Sequence, residues 1–231
     1  MSATAISVGN RVAGLMDVFV DPQNTASYVQ NKHAWVIPSV VIGIGGIFLG
    51  LASLPLTLQV VQHNLPTGLS GEQIQQTIDN LARFQRIGVM LTPVVFILKS
   101  LISAWILYTA CVLLDIRTGY RKLFSLVTQC AMILFLQDLT VYTIIKLRGA
   151  EVRSITDLTP GLGLDLLLHG SSKPVMAVVS YFSVFNIWYI VMLSLTLSFL
   201  SGCSKKRAFV ATIPNWLFGL FLCVGVAWLA T

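Results

Sequence analysis

The sequence has few charged residues for its length. Asp, Glu, Lys and Arg make up 10% of the 231 residues, whereas hydrophobic residues make up 55%. Soluble domains contain about 25% charged residues, and a water-soluble fold of this size could not bury so much apolar surface. A lipid bilayer can solvate that surface without cost. The composition therefore predicts an integral membrane protein.

The patterns of metal, redox and nucleophilic sites are also missing. The four cysteines show no CxxC spacing, and His33, His63 and His169 have no carboxylate or cysteine partners at ligand spacing. No GxSxG or HExxH motif occurs. These absences predict a protein that is not an enzyme and that has no cofactor and no metal. The net charge of +6 lies in short loops beside apolar runs, so it predicts membrane topology and no nucleic-acid partner.

What the sequence does contain is five long apolar runs. Each approaches or exceeds the roughly 20 residues needed to cross a hydrocarbon core, and they cover residues 35–61, 87–114, 123–145, 175–200 and 211–230. Helices are favoured because they satisfy their own backbone hydrogen bonds in lipid, and the alternating segments of a membrane barrel are not seen. The predicted fold class is all-α, a five-transmembrane-helix bundle over residues 34–231 that follows a cytoplasmic leader over residues 1–33.

Alternate loops differ in their content of Lys and Arg. The leader and the compact loops around residues 115–122 and 203–207 are rich in basic residues, whereas the basic residues of the other loops are largely balanced by Asp and Glu. Cytoplasmic loops of membrane proteins carry the excess of Lys and Arg. This distribution predicts a cytoplasmic N-terminus and a C-terminus on the outside.

The leader and the two longer outer loops predict amphipathic or interfacial segments. In residues 11–20 one helical stripe is apolar, which predicts a helix lying on the cytoplasmic membrane surface or docking a partner; the stripe contains Val12, Leu15, Met16 and Phe19. Ser70 and Gln73 form a capping-box pattern, which predicts a short amphipathic helix leading into the second span. The apolar run 162–168 is too short to span and is interpreted as an interfacial or partly re-entrant segment.

Polar residues at membrane depth are the candidates for function, because each is costly there and normally faces the bundle interior. Lys99 and Asp138 lie on helices that must be antiparallel neighbours, and a depth difference of about 7 Å predicts an ion pair between them. That pair could fix helix register or act in a proton or substrate relay, and the alternative is that Lys99 snorkels alone. With three amides they form the predicted polar seam: Lys99, Asp138, Gln129, Gln137 and Asn186.

The first span contains the small-residue pair Gly46 and Gly50 at GxxxG spacing. Such a pair allows another helix to approach closely. The surrounding glycines resemble a dinucleotide fingerprint only in letters, because no strand precedes them and they lie within a membrane span. They are therefore predicted to serve helix packing.

Several stretches resemble the YIP family, the polytopic membrane proteins named for interaction with Ypt/Rab GTPases. The resemblance lies in Phe19-Val20-Asp21-Pro22, in Gly119-Tyr120-Arg121-Lys122-Leu123-Phe124, and in Phe185-Asn186-Ile187-Trp188 leading to the 201–206 loop and Trp216. It covers essentially the whole chain. It implies a non-enzymatic membrane protein that works with partners, and the reduced leader favours a member from a bacterial inner membrane.

Two functional hypotheses follow. The leading one is a multipass scaffold or accessory subunit of a membrane transport, export or membrane-organisation system, with a membrane-protein partner or a second copy of the chain. The alternative is a small transporter or lipid-handling protein that uses the polar seam to bind a small molecule or a lipid. An odd number of spans and the absence of a repeat disfavour a secondary transporter with paired halves.

Overall fold

The computed structural model describes residues 14–65, 70–149, 158, 160–164 and 173–229. These residues contain seven α-helices: α1 (Pro22–Val29), α2 (Val36–His63), α3 (Gly71–Leu113), α4 (Tyr120–Arg148), α5 (Lys173–Tyr181), α6 (Val184–Ser201) and α7 (Lys205–Leu229). Five of them, α2, α3, α4, α6 and α7, are long and apolar enough to cross a membrane. The predicted all-α, five-span membrane bundle is thereby confirmed.

Helices α4 and α6 lie at the centre of the bundle. Their fully buried side chains include Leu126, Ile133, Leu193 and Leu197, and α3 contributes Leu107. Large apolar side chains are exposed elsewhere, most of all along α3. In lipid this exposure carries no cost, so the bundle has a packed interior and an apolar surface that faces the bilayer.

The short connections 114–119 and 202–204 define one end of the bundle, which we call the basic end because Arg117, Lys122 and Lys205 are exposed there. The opposite end is where α2 finishes and α3 begins. The capping box predicted there is present: the Ser70 hydroxyl accepts from the Gln73 amide at 3.3 Å, and the Gln73 side chain accepts from the Ser70 amide at 3.0 Å. From this cap α3 continues for 43 residues without a break, so the predicted amphipathic helix and the second span are one helix.

The fourth predicted span, 175–200, differs from expectation because it is not one helix. Helix α5 ends at Tyr181 and α6 begins at Val184, and Ser183 between them is extended and caps α6 by accepting from the Asn186 amide. Segment 160–164 lies against this break: Gly163 forms a β-bridge with Ser183, and the Val184 amide donates to the Leu162 carbonyl at 3.4 Å. Of the run 162–168, predicted to be interfacial or partly re-entrant, residues 162–164 lie against this break, and residues 165–168 lie outside the described residues.

The leader also differs from the predicted surface helix. Leu15 and Val18 are buried in the core, Met16 is exposed, and Val12 lies outside the described residues. A 3-10 turn, Asp17–Phe19, follows the helical residues 14–16, and Asp21 then caps α1 by accepting from two backbone amides at 3.0 Å each. Helix α1 packs against α6 and α4. Burial of this apolar segment against the bundle replaces its burial in the membrane surface.

Candidate functional site

The residues of the predicted polar seam take part in three separate arrangements. The first involves Gln129, which is fully buried in α4. Its side-chain amide donates to the carbonyl oxygens of Gly14 at 3.2 Å and Leu15 at 3.4 Å. Gln129 therefore binds the backbone of the leader and does not extend the seam towards Asp138.

Trp188 of α6 also binds the leader, at Phe19, four residues after Leu15. Its indole nitrogen donates to the Phe19 carbonyl at 3.1 Å, and the Phe19 and Trp188 rings lie 5.8 Å apart. Trp188 was part of a motif that resembles the family, but the sequence predicted no partner for this side chain. The two contacts, from α4 and α6, fix the leader across the central helices.

Gln129→Leu is expected to loosen the leader. The substitution preserves volume but leaves two buried carbonyls without their donor, which costs about 1–3 kcal/mol. Hydrogen exchange of the amides in residues 15–29 is expected to accelerate while that of α7 stays unchanged. Gln59→Leu, at an exposed position of α2, serves as the matched control, and equal protection of the leader in both variants would contradict the role of Gln129.

The second arrangement joins α4 to the break before α6. The Gln137 side-chain oxygen accepts from the Ser183 hydroxyl at 3.2 Å and from the side-chain NH2 group of Asn186 at 3.4 Å. The same NH2 group of Asn186 donates to the Ser183 hydroxyl at 3.0 Å. The structure thus brings Gln137 and Asn186 together, with Ser183 as a partner that the sequence reasoning missed. The sequence did contain a signal for Ser183. Serine is a common helix N-cap residue, and Ser183 stands three residues before Asn186, at the start of an apolar run.

The third arrangement surrounds Asp138, which follows Gln137 on α4 but faces another side because successive helical residues point about 100° apart. Asp138 is exposed at the surface of α4 and lines an open cavity of about 340 Å³ between α2, α3 and α4. The polar lining consists of Ser53, Thr57, Thr92, Asp138 and Tyr142, and the apolar lining includes Leu49, Leu56, Val141, Ile145 and Leu158. No described residue donates a hydrogen bond to the Asp138 carboxylate.

Lys99 does not take the place that the sequence predicted. It lies on an exposed face of α3 and does not line the cavity. It interacts with Asp138 electrostatically, but within the described part of the chain no direct ion pair joins the two side chains. A closed, register-fixing ion pair is therefore not what the structure contains.

The glycine pair of the first span packs α2 against α3 within the chain. A methyl group at Gly46 would lie 2.9 Å from the Thr92 methyl, and one at Gly50 would lie 2.7 Å from a methyl of Val89. These contacts leave no room for side chains. The GxxxG pair is consequently used inside the bundle, in the same wall that forms the cavity.

A further interior contact links α6 to α7, where the Asn215 amide donates to the Tyr189 hydroxyl at 3.1 Å. Sequence reasoning did not select either residue, although an amide next to Pro214 inside an apolar run was a signal of the same kind as Asn186. No group of three or more His, Cys, Asp or Glu that could hold a metal ion occurs among the residues described.

Fold and interior contacts define a polytopic α-helical membrane protein whose polar side chains join helices and anchor the leader. The Yip1 domain model matches residues 16–226, and the chain belongs to this family. That match confirms the resemblance seen in the short motifs, and the family is one of membrane proteins not known as enzymes. No curated protein and no solved structure was found to match the chain.

Proposed function

We propose that the chain is a multipass scaffold or accessory subunit of a membrane transport, export or membrane-organisation system. The observation that carries this proposal is the use of the interior amides: Gln129, Asn186 and Asn215 donate through their NH2 groups and Gln137 accepts through its oxygen, all within the chain. A transport pathway needs polar groups that are free to meet a substrate. Here most of the interior amide groups hold helices and the leader in place. A scaffold needs such a fixed structure, because it acts by binding partners at its surface.

The proposed location is a bacterial inner membrane, with the N-terminus in the cytoplasm and the C-terminus outside. The basic end supports this orientation, because exposed Lys and Arg concentrate on cytoplasmic loops. Two of its arginines also connect separate segments: Arg121 donates to the Lys32 carbonyl and Arg207 to the Leu114 carbonyl. Lys122, Lys205 and Lys206 remain exposed on this end, where they offer a surface to an acidic partner.

The test is the size of the assembly in native membranes. Chemical cross-linking before extraction in mild detergent is expected to yield a defined species larger than the 25.3 kDa chain, containing either a partner or a second copy. Lys205→Gln with Lys206→Gln should reduce its yield, because the contact at the basic end is weakened. Arg83→Gln with Arg86→Gln, two exposed charges near the opposite end, provide the matched control, and a monomer in every preparation would contradict the proposal.

A lipid-handling or small-transporter role is the second candidate, and the cavity at Asp138 favours it. This cavity is lined by both polar and apolar side chains, as ligand sites commonly are. Binding of a ligand in the cavity is the measurement that separates this role from that of a scaffold.

A further inference from the structure

The cavity between α2, α3 and α4 contains a carboxylate that the described chain leaves without a hydrogen-bond donor. Asp138 lies well inside α4, ten residues before its C-terminal end at Arg148. An aspartate at membrane depth costs roughly 2.5–3.5 kcal/mol on insertion scales. Such residues are normally paired, yet Lys99, which interacts with Asp138 electrostatically, forms no direct ion pair with it in the described structure.

Three of the four hydroxyl groups that line the cavity do not donate to Asp138 either. Ser53 donates to the Gly50 carbonyl at 3.0 Å, Thr57 to the Ser53 carbonyl at 3.2 Å, and Thr92 to the Gly88 carbonyl at 3.5 Å. The protons of these three hydroxyls are thus used by the helix backbones, so these residues offer oxygen lone pairs to the cavity, and the Tyr142 hydroxyl is the fourth that lines it. A carboxylate surrounded by hydroxyl acceptors is complementary to a cation that carries several N–H donors.

The rest of the cavity is suited to a hydrocarbon chain. Leu56, Val141 and Leu158 pack around the buried pair Val60 and Ile145 towards the opposite end of the bundle. Tyr142 adds an aromatic ring, which already accepts a cation–π contact from Lys146 at 5.9 Å. The volume of about 340 Å³ lies at the small end of ligand sites, so it accommodates a head group with the first part of a chain.

We propose that this cavity binds the ammonium group of an amphiphilic amine, with Asp138 as the counter-ion and the apolar wall in contact with the alkyl chain. Two kinds of molecule carry an ammonium group together with an alkyl chain. One is an aminophospholipid such as phosphatidylethanolamine, and the other is a free long-chain amine. The site is independent of the scaffold role, because it requires neither a partner nor the basic end.

The experiment measures ligand binding to the full chain by native mass spectrometry and by thermal shift. The probes are dodecylamine, its uncharged analogue dodecanol, phosphatidylethanolamine and phosphatidylglycerol. Binding is measured at mildly alkaline pH, where a primary alkylamine is still protonated. Dodecylamine is expected to bind more tightly than dodecanol, and binding of phosphatidylethanolamine in preference to phosphatidylglycerol would identify a lipid source. Dodecylamine binding without that preference would identify a free amine.

Four variants make the assignment specific. Asp138→Asn should weaken amine binding about 10- to 100-fold, the loss expected for a charge-assisted contact, whereas Asp138→Glu should retain most of it. Lys99→Met should strengthen binding, because it removes a competing positive charge. Asp79→Asn makes the same chemical change at an exposed position of α3 and should have no effect.

The inference is overturned if Asp138→Asn binds dodecylamine as tightly as the unsubstituted chain, or if dodecanol and dodecylamine bind equally. The second comparison uses only the unsubstituted chain, so it decides the matter even if Asp138→Asn fails to fold. Failure of amine binding leaves the cross-linking result unaffected, and a monomeric chain could still bind the amine. The two proposals can therefore fail separately.

Discussion

Gly50→Leu is expected to disrupt the contact between α2 and α3. A side-chain carbon at this position lies 2.7 and 2.8 Å from the two methyl groups of Val89, well inside van der Waals contact. Valine is branched at Cβ and has one strongly preferred rotamer in a helix, so it cannot turn away. The helices must separate, which costs about 1–3 kcal/mol for overpacking and more if the pair moves as a unit.

The measurement is the free energy of unfolding in detergent micelles, followed by tryptophan fluorescence. Gly88→Leu is the matched control, because it is also a helical glycine but has open space around its Cβ. It is expected to keep or slightly raise stability, since leucine has the higher helix propensity. Equal stability of the two leucine variants would show that α2 and α3 are not packed through Gly50.

Gly163→Ala is expected to release segment 160–164 from the break between α5 and α6. A Cβ at Gly163 would lie 2.5 Å from the Phe182 carbonyl oxygen and 2.8 Å from the Ser183 Cα. Both atoms belong to the backbone, so no side-chain rotation relieves the clash. The bond from the Val184 amide to the Leu162 carbonyl is lost with the bridge, and the net loss of one such hydrogen bond costs about 0.5–1.5 kcal/mol.

Hydrogen exchange of the Val184 amide reports this release directly. We expect faster exchange at Val184 and at the first turn of α6 in Gly163→Ala, together with lower thermal stability. Gly119→Ala is the control because nothing lies within 4 Å of its Cβ and its φ of −86° suits alanine. Unchanged exchange at Val184 would mean that the segment does not pair with the break.

Local sequence signals predicted the parts of the fold that depend on local chemistry. The Ser70–Gln73 capping box forms because its partners are three residues apart, and the spans form because lipid forces each apolar run to satisfy its own backbone. The polar residues of the seam were likewise visible, because amides and charges at membrane depth stand out in an apolar sequence. The hydrogen-bond partners of these polar residues depend on how each helix is rotated about its axis, and the spacing of residues in the sequence does not give that rotation.

The leader illustrates the difference. Its apolar character was evident, but an apolar stripe can be buried equally well in a membrane surface or in a bundle. In the bundle it is bound by Gln129, more than 100 positions further along the chain, whose side-chain amide donates to the Gly14 and Leu15 carbonyls. The break at Ser183 has the same origin, because a helix interrupted there needs backbone partners that segment 160–164 supplies.

By itself the sequence determined that this protein is an all-α membrane bundle of five spans, and its short motifs were enough to indicate the family. These conclusions follow from composition, run length and local patterns, which depend on the solvent and on near neighbours. Only the tertiary structure decided that the seam is divided, that Asp138 faces a cavity and that Lys99 does not pair with it directly. Those outcomes depend on the rotation of each helix about its axis, and packing against distant helices sets that rotation.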